Sequence, residues 1–195
     1  MTSIPPPPAC PPTTTIPAPA PAAKPPIVSP TGPPGAFLVE LLIYNGAPFK
    51  DHWAYFVRSH ADPGIGTRIH AMGDVRSGFE FQINRQHDLR DPGNSPTNRV
   101  PLQWVDAKYF DYEEGVLDDR ESRDNNVPLC GFEASAYKAK VPEKSLNSID
   151  DEVVVPGRKI TQRNCQTWIV ESADQLVKDQ IFKEEVSVYL HAIKQ

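Results

Sequence analysis

The sequence predicts an α+β domain, an antiparallel sheet packed on helices, behind a disordered proline-rich arm. Three observations carry this. Fourteen of the 22 prolines fall in residues 1–35. Short segments with β-rich or alternating patterns crowd residues 36–105. A helical stripe follows only from residue 164 onward. Strands first and helices after is the order of an α+β domain with an antiparallel sheet.

The arm comes first. Residues 1–35 hold no aromatic side chain and one charge, Lys24. Such a stretch cannot bury enough apolar surface to offset the entropy of ordering it. It reads as polyproline-like, and a partner of the SH3 or WW type is one role open to it. The rest, residues 36–195, holds all the Trp, Tyr and Phe of the chain, enough for one domain with a core.

The elements follow in order. Ala36–Tyr44 (AFLVELLIY) is a buried strand closed by the turn signal Asn45-Gly46. His52–Arg58 (HWAYFVR) is a second strand, rich in aromatics. Ser59–Gly66 is a loop punctuated by Pro63, Gly64 and Gly66, and Thr67–Met72 returns as the other half of a hairpin. Phe79–Asn84 alternates apolar and polar residues, the signature of a half-buried strand. Gln86–Asn98 reads as a polar loop and Val100–Val105 as a fifth strand. Asp111–Asn126 reads as a solvated acidic excursion, Phe132–Lys138 as a short helix and Val153–Val155 as a short apolar run. Asn164 is a suitable N-cap. Behind it Cys165, Trp168, Ile169, Ser172, Ala173 and Leu176 form one helical stripe, and the pattern resumes after Gln180 as a second helix or a continuation.

Composition excludes several classes. The net charge is −5, and Lys24 is the arm's only charge, so the domain itself is more acidic still. An acidic domain without a basic run argues against nucleic acid as partner. No apolar window is long enough for a transmembrane helix. The first residues lack the pattern of a secretory signal, and three sparse cysteines fit free thiols in a reducing compartment. A cytoplasmic location is therefore expected. No Cys-x-x-Cys pair is present, so neither a structural zinc site nor a cofactor is expected.

Cys165 is the residue at which chemistry is easiest to place. The unpaired N–H groups and dipole of a helix start stabilise an anion, which predicts a thiol pKa below the usual value of about 8.5. The same residue also begins an apolar stripe and suits a core position. His52, at a strand end, could serve as a base for a thiol. His70 lies on the return strand. If Ala54 faces His70, the two histidines lie diagonally on one sheet face, about 7–8 Å apart between Cα atoms. A one-residue slip puts them on opposite faces, and the sequence leaves both registers open. Asp74 is an alternative orienting residue, and His52, His70 and Cys165 could instead ligate zinc. His60 and His87 read as solvated loop residues, His191 as a helix-end residue suited to the dipole, and Cys130 as structural.

The segments LVELLIYNGAPFKDHWAYFV, TRIHAM and RNCQTWIVE together resemble the circularly permuted papain-like superfamily. They are most similar to its lecithin–retinol acyltransferase group and relatives, which include NlpC-type peptidases and PPPDE-type desumoylating isopeptidases. In that group a His-Trp pair opens a strand, a second polar residue sits on the next strand, and an Asn-Cys motif opens a late helix. Here these are His52-Trp53, His70 and Asn164-Cys165. The cysteine is followed by Gln166-Thr167-Trp168 rather than the Glu-His-Phe common among the acyltransferases. The resemblance implies a permuted papain-like fold with Cys165 as nucleophile, His52 as base and His70 orienting the imidazole. It also implies that the Cys165 N–H contributes to an oxyanion hole. The function it implies is a cysteine-dependent acyl-group hydrolase or transferase acting on a small-molecule, lipid or peptide substrate. The alternative is a catalytically inactive interaction module of the same fold.

Overall fold

The computed structural model describes residues 23–110, 124–144 and 162–195. Among the described residues six strands precede three α-helices: β1 (Phe37–Tyr44), β2 (His52–Arg58), β3 (Ile65–Asp74), β4 (Gly78–Asp88), β5 (Asn98–Val105), β6 (Asp124–Asn125), α1 (Gly131–Tyr137), α2 (Cys165–Lys178) and α3 (Glu184–Ile193). The strands form one sheet in the order β5-β1-β2-β3-β4-β6, with every neighbouring pair antiparallel. The architecture is α+β. Of the acidic run, residues 111–123 lie outside the described residues, as does the apolar run at 153–155.

Strand alternation divides the sheet into two faces. Trp53, Tyr55 and Val57 of β2 join Val39 and Leu41 of β1, Ile69 of β3 and Ile83 of β4 in the main core, which the helices cover. Ala54 and Phe56 point the other way and form a small second cluster with Leu42 and Leu89. The expected stripe of α2 is buried at every position from Cys165 to Leu176. At the centre stands Tyr55, edge-on to Phe132, Trp168 and Phe182 with ring centroids 6.0, 6.1 and 5.9 Å away. Arg85 and Glu133 are paired at 2.6 Å with both side chains buried, linking β4 to α1.

The structure moves some boundaries. β3 is longer at both ends than Thr67–Met72. β4 continues through Asp88, correcting the expected loop from Gln86. A bulge explains the difference. Gln86 has a positive φ of 61°, and the register with β3 shifts between Gly66 and Arg68, so one extra residue is accommodated on β4. The polar run beyond it still pairs, with Gly66 opposite His87 and Ile65 opposite Asp88. Gly66 is required there, because a Cβ would come within 2.3 Å of the Val57 carbonyl oxygen. Residues after Gln180 do form a second helix, but only from Glu184, past a break at Asp179–Lys183.

The arm expected over residues 1–35 lies outside the described residues up to residue 22. From Ala23 to Gly35 the chain has neither helix nor strand. It runs against β5, where the Trp104 indole donates to the Ser29 carbonyl at 2.8 Å. Gly32 sits so close to that ring that a Cβ would approach it to 2.3 Å.

Candidate active site

The β2–β3 register settles the histidines. Tyr55 faces Ile69 and Phe56 faces Arg68, so His52 and His70 fall on the same sheet face, the one bearing Ala54 and Phe56. Their rings meet: His52 Nε2 lies 2.8 Å from His70 Nδ1, with the rings edge-on. Beyond His70, its Nε2 lies 3.3 Å from Asn84 Oδ1 on β4. Arg68 approaches the same oxygen with Nε at 3.1 Å and Nη2 at 2.9 Å. Arg68, His70 and Asn84 share a face because Ile69 and Ile83, which point into the core, alternate with them.

Burial makes both imidazoles hard to protonate, and the Arg68 guanidinium adds to this. The His52 pKa is lowered to about 4 and that of His70 to about 3. Both rings are neutral at pH 7.

Cys165 opens α2 as expected. Asn164 caps the helix, its side chain accepting from the Thr167 N–H at 3.1 Å, while the Thr167 hydroxyl accepts from the Asn164 N–H. The sulfur lies 3.9 Å from the Asp51 carbonyl oxygen, and the backbone N–H groups of Trp53, Gln166 and Cys165 itself lie close enough to favour its anion. It therefore meets the backbone on either side of His52. It does so from the helix-covered face, in the main core, and among the described residues no hydrogen bond joins it to the His52 ring.

The expectation of a depressed thiol pKa is corrected. Cys165 is 7% exposed, and burial pushes the thiol up, against the opposing effect of the three N–H groups. A helix start favours an anion only where solvent or a counter-charge shares the cost of burying it.

Two residues tie the strand end to the helix start in a way that sequence reasoning missed. Gln166 donates to the Asp51 carbonyl at 2.9 Å, and Gln195 hydrogen-bonds both Gln166 and Asp51. Two buried donors near the strand start, Trp53 Nε1 and Tyr44 Oη, have no hydrogen-bond partner among the described residues.

The other candidates lie elsewhere. Asp74 does not replace His70, because its carboxylate accepts the N–H groups of Arg76 and Ser77 in the β3–β4 turn. His87, expected in a solvated loop, is buried on β4 against Phe56, placed there by the bulge. His60 is exposed, lies against Phe37 with the rings tilted, and lines a cleft with Arg58, Pro63 and Trp104. His191 pairs with Asp174 at 3.0 Å, and Cys130 is buried at the start of α1. Among the described residues no group of three or more His, Cys, Asp or Glu side chains is arranged to hold a metal, and no helix is long and apolar enough to cross a membrane.

No curated protein and no solved structure matches this chain. One family model does, over residues 39–183. That stretch spans well over half the chain and contains His52, Arg68, His70, Asn84 and Cys165, and by it the protein belongs to DUF6540, a family of unknown function.

Proposed function

We propose that the protein is a cysteine-dependent acyl-group hydrolase or transferase on a permuted papain-like fold, with Cys165 as nucleophile, His52 as base and His70 orienting it. One observation carries this reading. A chain of hydrogen bonds runs from Arg68 through Asn84 and His70 to His52, and the residues flanking His52 hold the Cys165 sulfur. A relay of neutral imidazoles whose flanking backbone contacts a thiol supplies the parts of a general-base mechanism, although the thiol stands on the opposite sheet face from the rings. The thiol proton passes to His52 as sulfur attacks the acyl carbon of an amide, ester or thioester. The leaving group departs with that proton, and water or an amine then takes the acyl group. Backbone N–H groups at the start of α2 suit the oxyanion formed in each step. On this reading the Cys165 thiol and the His52 imidazole, which stand on opposite faces of β2, are brought together only as substrate arrives.

A second reading, an interaction module without catalysis, is favoured by the sulfur's contact with Asp51 and the missing bond to His52. Incubation with p-nitrophenyl acetate followed by mass spectrometry separates the two. The catalytic reading expects a stoichiometric acetyl group on Cys165 that is absent in Cys165→Ala and slow to form in His52→Ala. Wild-type protein that gains no acetyl group on Cys165, or gains it equally fast in His52→Ala, overturns it.

A further inference from the structure

We propose that Arg68 and Asn84 are positioning residues that set the tautomers of both imidazoles, so that His52 presents an unprotonated Nδ1 as its basic atom. The direction of the hydrogen bonds follows from one fixed point. Arg68 is a donor only, and it places two N–H groups on Asn84 Oδ1, at 3.1 and 2.9 Å. That contact fixes the carboxamide with its oxygen toward Arg68 and His70. His70 Nε2, 3.3 Å from the same oxygen, must then carry the proton and donate. A neutral imidazole carries one N–H, so His70 Nδ1 is an acceptor. The ring atom 2.8 Å away, His52 Nε2, must therefore donate. The remaining nitrogen of His52, Nδ1, is left with its lone pair and takes no hydrogen bond among the described residues.

The reverse order is blocked at the far end. If His52 carried its proton on Nδ1, its Nε2 would accept from His70 Nδ1–H. His70 Nε2 would then turn a lone pair on the Asn84 oxygen, an acceptor against an acceptor in a part-buried site. Two acceptors left facing each other with little access to water are disfavoured enough to keep the reverse order a minor species. When His52 takes up a proton on Nδ1, its Nε2–H stays on His70 and no other proton moves. The two residues thus act through His70 and His52 rather than on the substrate. The role of Nδ1 as base rests on the acyl-enzyme reading, whereas the tautomers themselves do not.

Long-range ¹H–¹⁵N correlation spectra of the imidazoles in the full chain at pH 7 report the tautomers directly. Both His52 and His70 are expected as Nε2–H forms. An Nδ1–H form of His52 overturns the proposal whatever the protein's activity. Asn84→Leu removes the acceptor and is expected to mix the tautomers and slow acetylation of Cys165 by about a hundredfold, the lower range of a general-base contribution. Asn84→Asp keeps an acceptor and is expected to restore both. Wild-type acetylation rates in a folded Asn84→Leu protein overturn the positioning role and leave the acyl-enzyme reading standing. Correct tautomers without any acetylation overturn the use of Nδ1 as a base, and with it that reading.

Discussion

The Tyr55 hydroxyl donates to the Ile169 carbonyl at 2.8 Å, so the strand that begins with His52 is pinned to the helix that begins with Cys165. Burial holds the phenol proton in place by pushing its pKa far up. The Ser172 hydroxyl lies 3.2 Å from Tyr55 Oη and also donates to Ile169. The helix face toward β2 is therefore set by a polar contact inside an apolar core. Such contacts specify one alignment of two elements that apolar packing alone would let slide.

Tyr55→Phe tests this alignment. The ring stays, and with it the edge-on contacts to Phe132, Trp168 and Phe182. One hydrogen bond goes, while the Ser172 hydroxyl still reaches the Ile169 carbonyl. The expected loss is about 1 kcal/mol of unfolding free energy with an unchanged denaturant slope. Urea unfolding followed by tryptophan fluorescence measures it. A loss near zero would show that packing alone fixes the helix.

The histidine pair makes stability depend on pH in a definite direction. Both folded-state pKa values, about 4 for His52 and about 3 for His70, lie below the ordinary value of 6.5. Between those limits the unfolded chain binds more protons than the folded one. Stability is therefore full above pH 6.5 and falls as the pH drops toward 4, by at most about 1.4 kcal/mol per pH unit for each ring. Melting temperatures from pH 7.5 to 4.5 should decline, and His70→Gln should flatten the curve over that window. An unchanged decline in the variant would take His70 out of the titrating groups.

The sheet was legible in the sequence because its period-two pattern and its turns agree with each other, and His52–Arg58 was placed to the residue. The α2 stripe was legible for the same reason, since its buried positions repeat at helical spacing and Asn164 supplies the cap. The end of β4 was not. A bulge at Gln86 reverses the alternation, so Arg85 faces the core while His87 faces Phe56, and no run of polar residues announces that. At the site, His52, His70 and Cys165 stood out by type and position, but the hairpin register was open. Arg68 and Asn84 were hidden among ordinary polar strand residues. Their spacing held a signal: Arg68 lies two residues before His70, hence on its face, and Asn84 lies on the polar face of the neighbouring strand. The sign of the Cys165 shift could not be read from a helix start, because it depends on how deeply the sulfur is buried.

The Arg85–Glu133 pair predicts a large asymmetry between single and double replacement. Both side chains are buried, and Glu133 also accepts the Leu129 N–H at 2.7 Å. Glu133→Ala takes the carboxylate from a buried guanidinium and should cost about 3–5 kcal/mol. Arg85→Met combined with Glu133→Leu should recover much of that, because the two buried charges of the pair are removed together. Thermal unfolding of the three variants gives the comparison. Additive losses in the double variant would show that the two residues act independently.

Gln195 predicts how the Cys165 sulfur is kept covered. Its carboxamide oxygen accepts the Asp51 N–H at 3.0 Å and the Gln166 side-chain N–H at 3.2 Å, and its nitrogen donates to the Asp51 carboxylate at 3.0 Å. Asp51 precedes His52 and Gln166 follows Cys165, so one side chain fastens the neighbours of both. In Gln195→Ala those three bonds are lost while Gln166 keeps its bond to the Asp51 carbonyl, and the strand end should open locally more often. Iodoacetamide labelling read by mass spectrometry should then show Cys165 reacting several-fold faster than in the wild type. Cys130, buried at the start of α1, serves as the internal control and should keep its rate. Acceleration of both cysteines together would report global loosening of the domain. An unchanged Cys165 rate would mean that Gln166 and the helix cap hold the sulfur without Gln195.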